Sequence, residues 1–357
     1  MKKKILALLM ATMMVLSLAA CGGGSSDSGS DSSDDGGSDA DSGSADYKIG
    51  MVTDVGGVND GSFNQSAWEG LQKAKDDFGV EVKYLESGTD ADYIPNIETF
   101  VDEDYDLIIC IGYQLADALR EQAEANPDVQ FAIVDDSSCE DLDNVSCLMF
   151  EQSQASYLVG YLAGLTTESN TIGFVLGMST DTMNEFGYGY CAGAIDANPD
   201  VKILQTNANS FADTAAGKTA ANNMIAEGAD VIFHAAGGTG LGVIDACKEA
   251  GIWAIGVDSD QSSVAPDAIL SSAMKRVDNA CYDEIEALVN DKIESGIKVF
   301  SLTDEGVDLA PTTDNISEEN LTKVNEVKDK IISGEVEVAK NKEQFDDKYG
   351  DIYKLAE

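Results

Sequence analysis

From Lys48 onward, short apolar runs alternate with longer stretches in which apolar residues return every three or four positions. The runs are KIGMV before Asp54, then residues 81–86, 106–112, 131–136 and 145–150. Helical patterns open at Ser62, span 92–104 and 115–124, and the last is stopped by Asn126-Pro127, because the residue before proline is pushed out of the helical region. Strand-length runs separated by helices of 10–15 residues predict βαβ units and a parallel sheet. A long helix over 153–167 leads into a second series, with strands at 171–177, 201–208, 230–236 and 252–260 and helices at 184–197, 212–227 and 241–250. Further helices are expected at 275–296 and 316–333. Two successive parallel sheets make this an α/β chain of two Rossmann-like lobes joined by a hinge. In such sheets ligands bind outside the carboxyl ends of the strands, so the expected site is the cleft between the lobes.

The residues that follow the strands fill that expectation with chemistry. Asp54 ends the first strand, a glycine loop carrying Asn59 and Asp60 follows, and Phe63-Asn64 open the helix. The other strand ends contribute Gly112-Tyr113, Asp135-Asp136, Asn209, Phe211-Ala212-Asp213, Gly237-Gly238, Asp258 and Lys275. An aromatic ring stacks on a flat base for about 1–3 kcal/mol, and carboxylates accept charge-assisted hydrogen bonds from hydroxyls and ring N–H groups. That combination suits a sugar or a nucleoside better than an anion. Phe211 has Tyr113 and Phe186 as rivals for a second ring, and residues 131–136 offer either Asp135 or Asp136. GGTGLG at 237–242 is not a dinucleotide fingerprint, because Val243 stands where the third glycine is needed; it is expected to be a tight strand-to-helix turn where backbone nears a ligand. His234, the single histidine, lies in an apolar strand and is expected to be a core or strand-end residue. No nucleophile-base pair or metal cluster is evident, so neither an enzyme nor a cofactor is expected.

Charge narrows the partners. The formal net charge is −43, which repels nucleic-acid backbones and excludes nucleic-acid binding. Arg120 and Arg276 are the only arginines, so the guanidinium fork that commonly holds carboxylate or phosphate is scarce. Of the seven cysteines, six lie beyond residue 100, mostly in apolar contexts that suggest small buried side chains, with a Cys139–Cys147 bridge left open. The N-terminus has Lys2 to Lys4, an apolar run over 5–16 and then Leu18-Ala19-Ala20-Cys21. This is a secretory leader, and Cys following Leu-Ala-Ala resembles a bacterial lipobox with Cys21 lipidated. Residues 22–46, almost wholly Gly, Ser, Asp and Ala with seven aspartates, are expected to be a flexible tether.

At DVGGVNDGSFNQSAWEG, and again at FAIVDD, NSFADTAAGK, AAGGTGLGVIDACKEAG, IGVDSDQ and SAMKRVD, the chain resembles the basic membrane protein family of bacterial lipoproteins. These are the purine-nucleoside-binding subunits of ABC importers, with a type 1 periplasmic-binding-protein fold. The resemblance implies a leader over 1–20, a tether over 21–46, a first lobe of 47–150 plus 275–297 and a second of 151–274 plus 298–357. It implies that Asp54, Phe63, Asn64 and Asp135 come from the first lobe, with Phe63 stacked on the purine and the carboxylates reading its nitrogens. Phe211 would be the second ring, and Gly238, Asp258 and Lys275 would hold the ribose. The implied partners are inosine, guanosine or adenosine, a permease and ATPase, and a membrane reached through the lipid anchor on the extracytoplasmic face. A sugar-binding or ligand-sensing lipoprotein of the same fold is the alternative.

Overall fold

A computed structural model describes residues 47–356; the expected leader, Cys21 and the tether lie outside the described residues. The first sheet is built from β1 (Lys48–Val52), β2 (Glu81–Leu85), β3 (Leu107–Ile111), β4 (Gln130–Val134), β5 (Val145–Phe150) and β11 (Gly296–Phe300), in the order β11-β5-β4-β3-β1-β2 and parallel throughout. The second holds β6 (Thr171–Leu176), β7 (Lys202–Asn207), β8 (Val231–Ala235), β9 (Trp253–Asp258), β10 (Ile269–Lys275) and β12 (Val307–Leu309), in the order β12-β10-β9-β8-β6-β7. Only β12 runs antiparallel, against β10. The interior strands β3 (LIICI) and β8 (VIFHA) are buried at every position, because helices cover both faces of a parallel sheet. The edge strands β2 and β11 are half-exposed and carry charged residues.

The helices are α1 (Phe63–Phe78), α2 (Tyr93–Asp102), α3 (Ala116–Ala125), α4 (Gln152–Thr166), α5 (Asp181–Ala197), α6 (Thr214–Ala226), α7 (Thr239–Ala250), α8 (Val277–Val289), α9 (Glu318–Ile332) and α10 (Lys342–Tyr349). α1 buries Ala67, Leu71 and Ala74 on one face and stops at Gly79, whose φ of 73° only glycine adopts easily and whose N–H closes on the Lys75 carbonyl at 2.9 Å. α4 and α5 pack backbone to backbone: a Cβ on Gly160 would stand 2.1 Å from the Tyr190 carbonyl oxygen, and one on Gly189 would stand 2.1 Å from that of Ser153.

The chain crosses between the sheets three times, after β5, after β10 and after β11. The Glu151 N–H donates to the Phe300 carbonyl at 2.8 Å, tying two crossings together. Two expectations need correction. Residues 269–275 form strand β10 and the helix starts only at Val277, because ILSSAMK places two buried serines inside a strand whose apolar signal they dilute. The last crossing follows Phe300 rather than residue 297, since β11 pairs with β5 through Phe300. Lys275 is accordingly the last residue of a second-sheet strand. Cys139 and Cys147 are buried free thiols.

Candidate functional site

The site starts from the loop between β1 and α1. Asp54 is buried, and its Oδ1 accepts the Gly56 N–H and the Asn64 Nδ2 group, each at 2.8 Å. Asp60 is buried beside it. One of its oxygens accepts the backbone N–H of Ser62 at 2.9 Å and of Gln65 at 3.1 Å; the other accepts the Asn64 N–H at 2.9 Å and its Nδ2 at 3.0 Å. Asp60, three residues before the first residue of α1, thus satisfies donors at the start of that helix from outside it. The Asn64 nitrogen is held between two carboxylates, and its Oδ1 is buried with no donor among the described residues.

Asp135 follows β4 and Asp258 ends β9, and both adopt left-handed backbone, with φ of 67° and 65°. Few residues other than glycine tolerate that region, Asp among them, and such geometry at a strand end marks a site where a side chain is being aimed. Lys275 is 1% exposed and forms an ion pair with Asp135. Its ammonium lies 5.1 Å from the ring centres of Phe63 and Phe150 and 5.5 Å from that of Phe186, a cage that suits a desolvated cation. Asp135 Oδ1 has no donor among the described residues.

These groups enclose one cavity, lined from the first lobe by Asp54, Asp60, Phe63, Asn64, Tyr113 and Asp135 and from the second by Met183, Phe186, Phe211, Gly237, Asp258 and Lys275. Phe211 packs close against Gly177, where a Cβ would come within 2.4 Å of its ring. Burial pushes the carboxyl of Asp258 up to about 7, against the pull of Lys275 and the Ser62 hydroxyl. Burial likewise pushes Asp54 up to about 6, partly offset by the Asn64 and Gly56 hydrogen bonds, and raises Asp60. Around one ion-paired ammonium, four carboxylates face the same space, so the pocket takes hydrogen-bond donors and disfavours anions.

Of the residues expected from sequence, Asp54, Phe63, Asn64, Asp135, Phe211, Asp258 and Lys275 line this cavity. Gly238 does not. The φ of 52° at Gly237 presents that residue to the cavity, while Gly238 sits at the start of α7 behind Asp60 and the Phe211 carbonyl. Of the two aspartates after β4, it is Asp135 that lines the cavity. Asp60 and Met183 were not expected. Asp60 carried a signal in its position three residues before the first residue of α1, and Met183 sits three residues before Phe186 on α5, where a helix brings them to one face. His234 is fully buried, and burial lowers it to about 4. Among the described residues no group of His, Cys, Asp and Glu could hold a metal ion, and no helix is long and apolar enough to cross a membrane.

Two lobes of parallel sheet that close on a buried polar cavity define a solute-binding protein of the periplasmic type. A family model described as ABC transporter substrate-binding protein PnrA-like matches residues 47–342, and the chain belongs to that family. It is 42% identical to the CD4+ T-cell-stimulating antigen of Listeria innocua, over 95% of this chain and 99% of that one. It is 36% identical to the ABC transporter nucleoside-binding protein BmpA of Lactococcus lactis, over 82% and 89%. An ABC transporter solute-binding protein of Aeropyrum pernix, known from a crystal structure, superposes with a TM-score of 0.78 at 28% identity, covering 86% of this chain and 98% of that one. The chain is therefore a substrate-binding protein of an ABC transporter.

Proposed function

We propose that the ligand is a purine nucleoside such as inosine, guanosine or adenosine, held in the interlobe cleft and handed to a permease driven by an ATPase. The observation that carries this reading is the pairing of Phe63 from one lobe with Phe211 from the other on a single cavity that also holds four buried carboxylates. Two rings suit a flat base. Carboxylates suit its N–H groups and the ribose hydroxyls, and an ammonium already paired with Asp135 leaves little to attract a phosphate. In this reading Phe63 and Phe211 stack on the base, Asn64 Oδ1 and Asp135 Oδ1 receive its donors, and Asp258 with Lys275 takes the ribose. The name of the Lactococcus lactis relative supports the same ligand class. Cys21, lipidated behind a cleaved leader, would anchor the protein to the outer face of the cell membrane.

A ligand that binds only the folded form raises its melting temperature in proportion to RT ln(1 + [L]/Kd). Thermal melting with inosine, guanosine, adenosine, cytidine and ribose is expected to show shifts with the purine nucleosides that exceed the shift with ribose. A shift with ribose and none with any nucleoside would replace this reading with sugar binding.

A further inference from the structure

Gln261 and His234 stand outside the lining of the ligand cavity, yet Gln261 makes a direct hydrogen bond between the lobes. Gln261 opens a 3-10 turn after β9 and is 1% exposed. Its Oε1 accepts the Val257 backbone N–H at 3.1 Å and lies 3.1 Å from His234 Nε2. A backbone N–H can only donate, so the amide oxygen must point inward and the amide nitrogen outward. Burial keeps His234 neutral at pH 7, and with Oε1 as its neighbour it carries its proton on Nε2. Two glycines make room for this pair: a Cβ on Gly240 would stand 2.0 Å from His234 Nδ1, and one on Gly256 would stand 2.5 Å from Gln261 Oε1. Gly240 belongs to the GGTGLG motif and Gly256 to IGVDSDQ, and crowding against the pair accounts for these two positions.

The outward Nε2 of Gln261 is therefore a donor fixed in advance, and it reaches the Gly61 carbonyl of the first lobe at 2.9 Å. Around it, the Ser259 hydroxyl donates to the same carbonyl at 3.5 Å, and the Ser62 hydroxyl donates to the Asp258 carboxylate. We propose that Gln261, aimed by His234, is a closure latch: its amide meets Gly61 only when the lobes are together, so it raises the closed population and tightens ligand binding without touching the ligand. Apparent affinity scales with the fraction of molecules in the binding-competent form, so a contact made only on closure acts on affinity as directly as a contact to the ligand. The inference takes from the reading above only that the ligand is held between the lobes.

Two substitutions test it. Gln261→Glu keeps an oxygen for Val257 and His234 and exchanges the outward donor for an acceptor facing the Gly61 carbonyl; Gln261→Met removes the donor without adding charge. Small-angle scattering of the ligand-free protein is expected to show a larger radius of gyration in both variants. Calorimetric titration with inosine should give a dissociation constant raised roughly 5- to 50-fold, with wild-type stoichiometry. Thermal melting identifies a variant that fails to fold, and the other then decides. Wild-type radius in the folded variants, or a dissociation constant within twofold of wild type, would overturn the latch. Should no nucleoside bind at all, that result falls on the ligand assignment, and the scattering comparison still decides the latch.

Discussion

Asp258 carries two opposed demands. Its carboxyl is buried at a strand end in left-handed backbone, where it accepts the Ser62 hydroxyl and faces the ligand space, and burial pushes it up to about 7. Asp54 is pushed up to about 6 for the same reason. The folded form therefore holds these protons more tightly than the unfolded chain, whose carboxyls titrate near 3.8. Their contribution to stability is fully present below about pH 4 and is lost as pH rises through 6 to 7. Asp258→Asn should remove the larger part of that loss. We expect the ligand-free variant to melt about 2–4 °C above the unsubstituted protein at pH 8, with the gap closing toward pH 4.5, while ligand binding weakens. An equal gap at both pH values would contradict the assignment of the cost to an ionised, buried Asp258.

At the scale of the element, α1 begins correctly because of a residue outside it. Ser62, at the helix boundary, makes no capping hydrogen bond of its own; Asp60 receives the Ser62, Asn64 and Gln65 N–H groups instead. The same carboxylate holds Asn64 Nδ2, so one side chain fixes both the helix start and the orientation of a cavity-lining amide. Asp60→Ala should cost about 0.5–2 kcal/mol of stability, the usual range for a lost helix cap, and should weaken ligand binding because Phe63 and Asn64 lose their support. Urea unfolding and calorimetry on the same preparation check both parts. The sequence made α1, β3, β8 and most other elements legible, because their apolar spacing is strong and their ends carry Gly, Asn-Pro or Asp. It did not make β10, β11 and β12 legible: ILSSAMK interrupts its apolar run with serines, GIKVF is a half-exposed edge, and VDL is three residues long.

For the whole molecule, the three crossings let one chain build two lobes whose strand ends face a common cavity. The two parallel sheets followed from the periodicity, and so did the location of the cleft, since strand-end residues of open α/β sheets can be collected without knowing how the lobes meet; the return of the chain to the first sheet at β11 did not. Which strand-end residues converge was another matter. Asp60 reads as one more loop carboxylate, the choice between Asp135 and Asp136 depends on a single left-handed residue, and the roles of Gly237 and Gly238 turn on one φ angle. Contacts between lobes, such as Gln261 to Gly61, join residues 200 positions apart and leave no periodic trace.

An uncharged, flat, hydroxyl-bearing ligand is expected to be gripped between the lobes, with Phe63 as one of its stacking faces. Calorimetric titration of inosine into the purified protein and into Phe63→Ala tests it most directly. Saturable binding of one inosine per chain is expected, weakened in Phe63→Ala by about 1–3 kcal/mol, a factor of roughly 5 to 150. An absence of binding heat with inosine, guanosine and adenosine alike, or an unchanged affinity in Phe63→Ala, would contradict it.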